Sequence, residues 1–214
     1  MAITQNPLIG ASKGSLGNVT MTRLRGKNIL KNKAINNYSD PTPTQLRNNF
    51  AFALLVAFSR TIKSLYRAGF KEVATSMSEY NKFMQLNNPE ALTGSTVVDT
   101  AIDPAKIVIA QGTGSAPLSL IESEVAGGIV TIQAQYSGED KPSTGSLMKL
   151  LVLDDGDASV LHIGEAVVEL GAGDEVSAEF NTPVEVVAGN RAIWFIVDSF
   201  SKKVSDSVNV ELTA

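Results

Sequence analysis

Arg191-Ala192-Ile193-Trp194-Phe195-Ile196-Val197 decides the fold of the C-terminal half of the chain. Side chains alternate across a β-strand, yet from 192 to 197 the even and the odd positions are both apolar. A strand with one wet face would carry a polar group at every second position. This run therefore reads as a central strand covered on both faces, with Trp194 as the side chain that plugs the core.

The texture around it is all-β. From about residue 105, short runs rich in Val, Ile and Leu recur between Gly, Asp, Pro and Ser turns. Strands are expected over 106–110, 129–136, 147–153, 159–163, 175–180, 191–200 and 207–212, with 166–170 as a further one. That number of short strands matches a two-sheet antiparallel sandwich of the immunoglobulin or fibronectin type. A jelly roll or small barrel is the alternative.

Upstream the period lengthens to that of a helix. In Thr42-Pro43-Thr44-Gln45 the threonine can cap, proline suits the first helical position because its missing N–H would be orphaned there, and glutamine can reach back to the cap. Leu46, Phe50, Leu54, Phe58, Ile62 and Leu65 follow as one apolar stripe, and Gly69 supplies a stop, so a helix is expected over 43–68. Phe52, Leu55 and Val56 lie off the stripe and leave mid-helix apolar nearly all round. Such a helix is buried on more than one side, either inside this chain or against another subunit. A second capping box, Ser76-Met77-Ser78-Glu79, opens a helix to about 86, and 95–103 reads as a connection.

Residues 18–24 and 28–35 read as two strands about an Arg25-Gly26-Lys27 turn. One hairpin is marginal in water, so this arm must lie on something or become ordered on a partner. The expected architecture is α+β: a basic N-terminal arm with a β-hairpin and two helices over 1–95, then an acidic, all-β, immunoglobulin-like sandwich over 102–214.

Charge follows the same division. Residues 1–82 hold 12 Lys and Arg against 3 acids, for +9; residues 83–214 hold 6 against 19, for −13; together they give the formal −4 of the chain. A split of this kind points to a polyanionic or acidic partner, which can be another copy of the same chain. The cations on the arm are Lys13, Arg23, Arg25, Lys27, Lys31 and Lys33; those on or just after the long helix are Arg47, Arg60, Lys63, Arg67 and Lys71. Arg23, Arg25 and Lys27 alternate, so they are expected to project from one face. A solvated basic surface is the ordinary alternative to docking on an acidic protein surface. Nucleic acid is the weaker partner, because Tyr38 is the one aromatic residue on the arm that could stack a base. Acids in the β half mainly keep a sandwich soluble, and also offer the complement a basic arm would need in a repeating assembly.

Composition closes other routes. Without cysteine there is no disulfide, thiolate metal site or cysteine nucleophile, and a lone histidine disfavours His-based catalysis. The start carries no apolar stretch of signal-peptide type. Nine residues, 50–58, form the longest strongly apolar run, too short for a bilayer, so no membrane association is expected. Gly10-Ala11-Ser12-Lys13-Gly14 matches the nucleophile-elbow spacing but lacks a strand before it and a helix after it. His162 reads as a sandwich side chain, and Asp154-Asp155-Gly156-Asp157 and Gly171-Ala172-Gly173-Asp174 read as turns rather than calcium loops. No cofactor is expected, and no enzyme.

Several short words recur in a familiar order: Gly17-Asn18-Val19, Arg25-Gly26-Lys27, Pro41-Thr42-Pro43-Thr44-Gln45, Arg47, Phe50-Ala51, Gly69-Phe70-Lys71, Tyr80-Asn81 and Ala91-Leu92-Thr93-Gly94. With them the chain resembles an uncharacterised family of proteins of about this length from Bacteroidota and their phages. That family has a glycine-rich start, a TPxQ helix and a β-rich end with a terminal hairpin, here Lys202 to Val208. The resemblance implies a context of phage or prophage structural genes and carries no chemistry. The combined expectation is a structural protein of a phage particle, located in the virion and oligomeric or part of a larger assembly. It would decorate or join virion components through its N-terminal arm and β-sandwich, with Arg23, Arg25, Lys27, Lys31, Lys33, Phe52, Leu55, Val56, Arg60, Lys63 and Arg67 as the candidate interaction residues. The alternatives are a surface module for a glycan or host receptor, and a capsid-internal nucleic-acid-binding protein.

Overall fold

The computed structural model describes residues 2–4, 13–24, 27–34, 40–114, 116–137, 141–183 and 185–214. It divides into two compact units, Met1–Pro41 and Thr42–Ala214. The expected division near residues 95–102 separates charge and secondary-structure type, but it does not coincide with these units.

The N-terminal unit is a four-stranded antiparallel sheet. Its strands are β1 (Ala2–Thr4), β2 (Gly14–Leu16), β3 (Val19–Leu24) and β4 (Lys27–Asn32), in the order β1-β4-β3-β2. The hairpin expected from sequence is the β3–β4 pair, flanked by two three-residue strands that the sequence did not signal. Its register places Leu16, Val19, Met21, Arg23 and Leu30 on one face and Thr20, Thr22, Lys27, Ile29 and Lys31 on the other. None of the described side chains of this unit is buried.

The second unit opens with α1 (Pro43–Thr61), α2 (Lys63–Gly69) and α3 (Glu79–Asn87). The first cap forms as the sequence predicts: Gln45 N–H donates to Thr42 Oγ1 at 3.3 Å, and Thr42 N–H to Gln45 Oε1 at 2.9 Å. The single helix expected over 43–68 is interrupted at Ile62, whose φ of −96° and ψ of 22° end one helix and begin the next. Gly69 is the last residue of α2, where the stop is expected. A Cβ there would stand 2.3 Å from the Ile109 carbonyl oxygen, so the residue is glycine to let two backbones meet. Ser78 rather than Ser76 caps α3, accepting from Asn81 N–H at 3.2 Å.

A small hairpin of β5 (Leu92–Thr93) and β6 (Ala101–Ile102) and a 3-10 turn at Pro104–Lys106 lead into the β region. Its strands are β7 (Ser119–Ala126), β8 (Ile129–Gln135), β9 (Leu147–Leu153), β10 (Val160–Val167), β11 (Glu169–Leu170), β12 (Glu175–Asn181), β13 (Arg191–Val197) and β14 (Val208–Glu211). They form two four-stranded antiparallel sheets, ordered β11-β12-β8-β7 and β10-β9-β13-β14. Two corrections to the expected strands follow. Residues 107–110 are not a strand, and Ser119–Ala126 is one.

The two sheets meet over a core of Val130, Ile132, Met148, Leu150, Val152, Val176, Phe180, Trp194 and Ile196. Trp194 is fully buried there. The opposite face of β9 and β13 is buried as well: Leu151, Leu153, Ile193 and Phe195 pack with Leu55, Phe58, Ile62, Leu65, Phe70 and Phe83 of the helix layer. Two-sided burial explains the unbroken apolar run from Ala192 to Val197. Layers therefore stack as helices, sheet, sheet. The lateral edges are joined by chain crossings, one at Val168 between β10 and β11, the other where Thr213 runs beside β7 and exchanges backbone hydrogen bonds of 2.8 and 2.9 Å with Ser123 and Val125.

Candidate functional site

A helix advances about 100° per residue, so steps of four residues drift by roughly 40° each. The expected stripe of Leu46, Phe50, Leu54, Phe58 and Ile62 is built mainly of such steps, and it winds around the helix instead of staying on one face. The core takes Ala51, Leu55, Phe58, Ser59 and Ile62. Leu46 and Phe50, 46% and 40% exposed, are left on the outer side with Ala53 and Ala57.

This phase shift sorts the expected contact residues. Leu55 is fully buried in the core and is no part of an accessible surface, a correction to its expected role. Val56 is half-buried against the same core. Phe52, at 47%, is exposed, and so are Arg60, Lys63 and Arg67. At helical spacing Phe52, Val56, Arg60, Lys63 and Arg67 run down one side of α1 and α2, and none of the three cations joins an ion pair among the described residues.

On the N-terminal sheet the expected alignment of Arg23 with Lys27 fails. Arg23 pairs with Asn28 and Leu24 with Lys27, adjacent rows that face opposite ways. Alternation carries a side chain to the same face along one strand, but here the chain reverses between the two residues and resets the count. Lys27 and Lys31 do share a face; Lys33 follows the strand, its N–H donating to Asn18 O at 2.7 Å. Arg25, Tyr38 and residues 10–12 of the elbow-like motif lie outside the described residues.

One arrangement is not legible in the sequence. On the outer face of the β11-β12-β8-β7 sheet, cross-strand rows read Ser119–Gln135–Glu175, then Glu122–Gln133–Ser177–Glu169, then Glu124–Thr131–Glu179. Five carboxylates thus share one open sheet face with amides and hydroxyls. None of the five forms an ion pair among the described residues. A side-chain hydrogen bond with the neighbouring Glu124 carboxyl, more than like charge, raises the Glu122 carboxyl above its ordinary range. The signal for this face is the pairing register of β7, a strand that composition alone does not reveal.

The remaining polar groups are engaged locally. Asp154 accepts from Gly156 N–H at 2.8 Å, Asp157 from Ser159 N–H at 2.8 Å, and Asp155 from Arg191 Nε at 2.8 Å, so this acidic loop is folded as a turn. His162 is half-buried on edge strand β10 across from Val152, and burial lowers its pKa. A polar cavity of about 290 Å³ is lined by Thr113, Tyr136, Asp198, Ser201, Lys203 and Ser205 among others. Burial acts to raise the pKa of Asp198, but hydrogen bonds from Ser143, Phe200 and Ser201 outweigh it and hold the carboxyl at about 2. Burial raises the Tyr136 phenol. No cluster of three or more His, Cys, Asp or Glu side chains poised for a metal occurs among the described residues. Nor, among them, is any helix long and apolar enough to cross a membrane.

The family model of DUF6266, a family of unknown function, matches residues 11–210, nearly the whole span from the second strand to the last. The chain belongs to DUF6266. Membership agrees with the resemblance to an uncharacterised family and assigns no activity. No curated protein matches the chain.

Proposed function

We propose that this DUF6266 protein is a non-enzymatic structural component of a phage particle, which decorates or joins virion components through its N-terminal unit. The observation that carries the reading is the N-terminal sheet, which has strands on both sides of its hairpin and no buried described side chain. A sheet needs an apolar face packed on something to be stable in water. Leu16, Val19, Met21 and Leu30 supply such a face, and Leu16 is 74% exposed. The outer side of α1, with Leu46 and Phe50, is a second surface of the same kind. The phage context itself comes from the sequence resemblance.

The C-terminal body is proposed to be of the immunoglobulin or fibronectin type. Taking β7 to β14 in chain order as strands A, B, C, C′, D, E, F and G, the two sheets become ABED and C′CFG, the pairing of that fold. Bodies of this kind serve widely as adhesive modules, which suits joining and decoration. A glycan-binding role is less well supported, because Trp194 is buried and offers no ring for a sugar.

Light scattering after size exclusion, on the full chain and on residues 42–214, tests the reading. The full chain is expected to self-associate or to bind particle components, and the shorter chain to remain a folded monomer. Identical monomeric behaviour of both, with no particle component bound, would overturn it. A second reading, binding of nucleic acid, draws on the exposed row of Arg60, Lys63 and Arg67. It requires DNA retention that falls steeply with salt.

A further inference from the structure

We propose that the polar cavity where β8 and β13 run out binds one unit of a saccharide, with the Phe200 ring as its stacking surface. All of its residues belong to the second unit, so the site goes beyond the assembly reading and does not depend on it.

Position is the first support. Tyr136 follows β8 and Asp198 follows β13, strands of opposite sheets, so the cavity of about 290 Å³ lies at one end of the sandwich. On the strand lettering proposed above, these are the B–C and F–G connections, which carry recognition in variable domains; the parallel is one of fold alone. The two connections are tied together. Asp198 accepts from Ser143 N–H and Ser143 Oγ at 2.9 Å each, from Phe200 N–H at 2.8 Å and from Ser201 N–H at 2.7 Å. Ser199 N–H donates to Ser146 Oγ at 3.1 Å, and Ser199 Oγ to Thr144 O at 3.0 Å. On this fixed turn Phe200 is 90% exposed. A ring held in water on an ordered loop meets a ligand without the cost of ordering that loop. Trp194 is buried, and the ring that a sugar can reach is Phe200.

The lining decides the ligand. Tyr136 is 2% exposed, and its hydroxyl has no hydrogen-bond partner among the described residues. A buried phenol in that state lacks an acceptor, and the cavity it lines is where one can be supplied. Two other hydroxyls are already engaged. Thr113 donates to Glu72, while Ser205 accepts from Ile196 N–H at 2.9 Å and donates to Asp206 O at 3.1 Å. Ser201 Oγ accepts from Lys203 N–H at 3.3 Å and keeps its proton for a ligand. The Lys203 ammonium joins no ion pair among the described residues. Asp198 Oδ2 has Ser143 N–H as its one donor among them, so it can accept again. Lys203 and Asp198 line the same cavity, and Glu72 stands behind Thr113; a ligand with net charge of either sign meets a like charge there. A neutral molecule that accepts at one hydroxyl and donates at the next suits both. Tyr136, Lys203 and Ser201 donate to it, Asp198 accepts from it, and an apolar face of the sugar ring covers Phe200. The volume lies at the lower end for ligand pockets, which fits one sugar unit and not a larger molecule.

Saccharide binding by the full chain tests the site, with linked glycans on an array and free glucose, galactose, mannose and N-acetylglucosamine followed by ligand-observed NMR. At least one saccharide is expected to bind. Binding of a free sugar, of linked glycans or of both supports the site, and the two formats separate a free ligand from a surface glycan. Tyr136→Phe is expected to weaken that binding about tenfold. The same variant should leave the unliganded chain as stable as before or more so in denaturant unfolding, because it removes an orphaned donor. Phe200→Ala is expected to weaken binding at least about fivefold, and circular dichroism checks that both variants are folded. No saccharide bound in either format, or binding unchanged in either variant, overturns the proposal. So does loss of self-association or of particle-component binding on Phe200→Ala with no saccharide bound, which would make Phe200 an anchor for protein.

Discussion

Two four-stranded antiparallel sheets of this chain have opposite environments. The β10-β9-β13-β14 sheet is covered on both faces, by the second sheet through Trp194, Leu150 and Ile196 and by the helices through Ile193, Phe195 and Leu151. The β1-β4-β3-β2 sheet has described side chains that are all exposed or half-exposed. The difference lies in the sequence of their strands. β13 is apolar at every position from 192 to 197, while β3 and β4 interleave Thr, Lys and Asn with Val, Met, Ile and Leu. The first pattern can be satisfied inside one chain; the second leaves a half-apolar surface that stability requires to be covered.

Truncation of the two-sided strand gives the largest expected effects. Trp194→Ala and Phe195→Ala should each destabilise the chain by about 3–5 kcal/mol, read by denaturant unfolding, because each empties a different buried face. A near-neutral Phe195→Ala would break the claim that the helices cover this sheet. Gly69→Ala comes next: the new Cβ would meet the backbone of Ile109 and Ala110, with an expected cost of about 1–3 kcal/mol in the same assay. Thr42→Ala removes the cap of α1 and should cost about 1 kcal/mol. Smallest is the double replacement of Met21 and Leu30 by serine. It should shift unfolding of the dilute chain by under about 0.5 kcal/mol, while light scattering reports weakened association. A large loss of stability there would show that the N-terminal sheet is part of the folding unit after all.

What could be read in the sequence was local. The Thr42 cap, the β3–β4 hairpin, and Trp194 as core plug all follow from residues within a few positions of one another. Where the reading failed, side chains distant in sequence decide. Ile107 and Ile109 look like a strand because they alternate and are buried. Their backbone is held instead by Asn87, whose side chain donates to Val108 O and accepts from Val108 N–H at 2.8 Å each, and by the Ser207 hydroxyl at 3.3 Å. β7 was hidden for the converse reason: it is a charged outer strand, with a register shift between Leu120 and Glu122 that breaks its alternation. The phase of α1 is not legible in the sequence because a four-residue repeat mimics a stripe, and only packing shows which side meets the sheet. The acidic face depended on β7, so it stayed out of sight with it.

Hydrogen exchange of the β3 and β4 amides, measured at high dilution and at a concentration where the chain associates, tests the central claim most directly. These amides are expected to exchange quickly when the chain is dilute and to become protected on association, while those of β9 and β13 stay protected throughout. Protection of β3 and β4 that is strong and independent of concentration would contradict the account, because the N-terminal sheet would then be stabilised within its own copy.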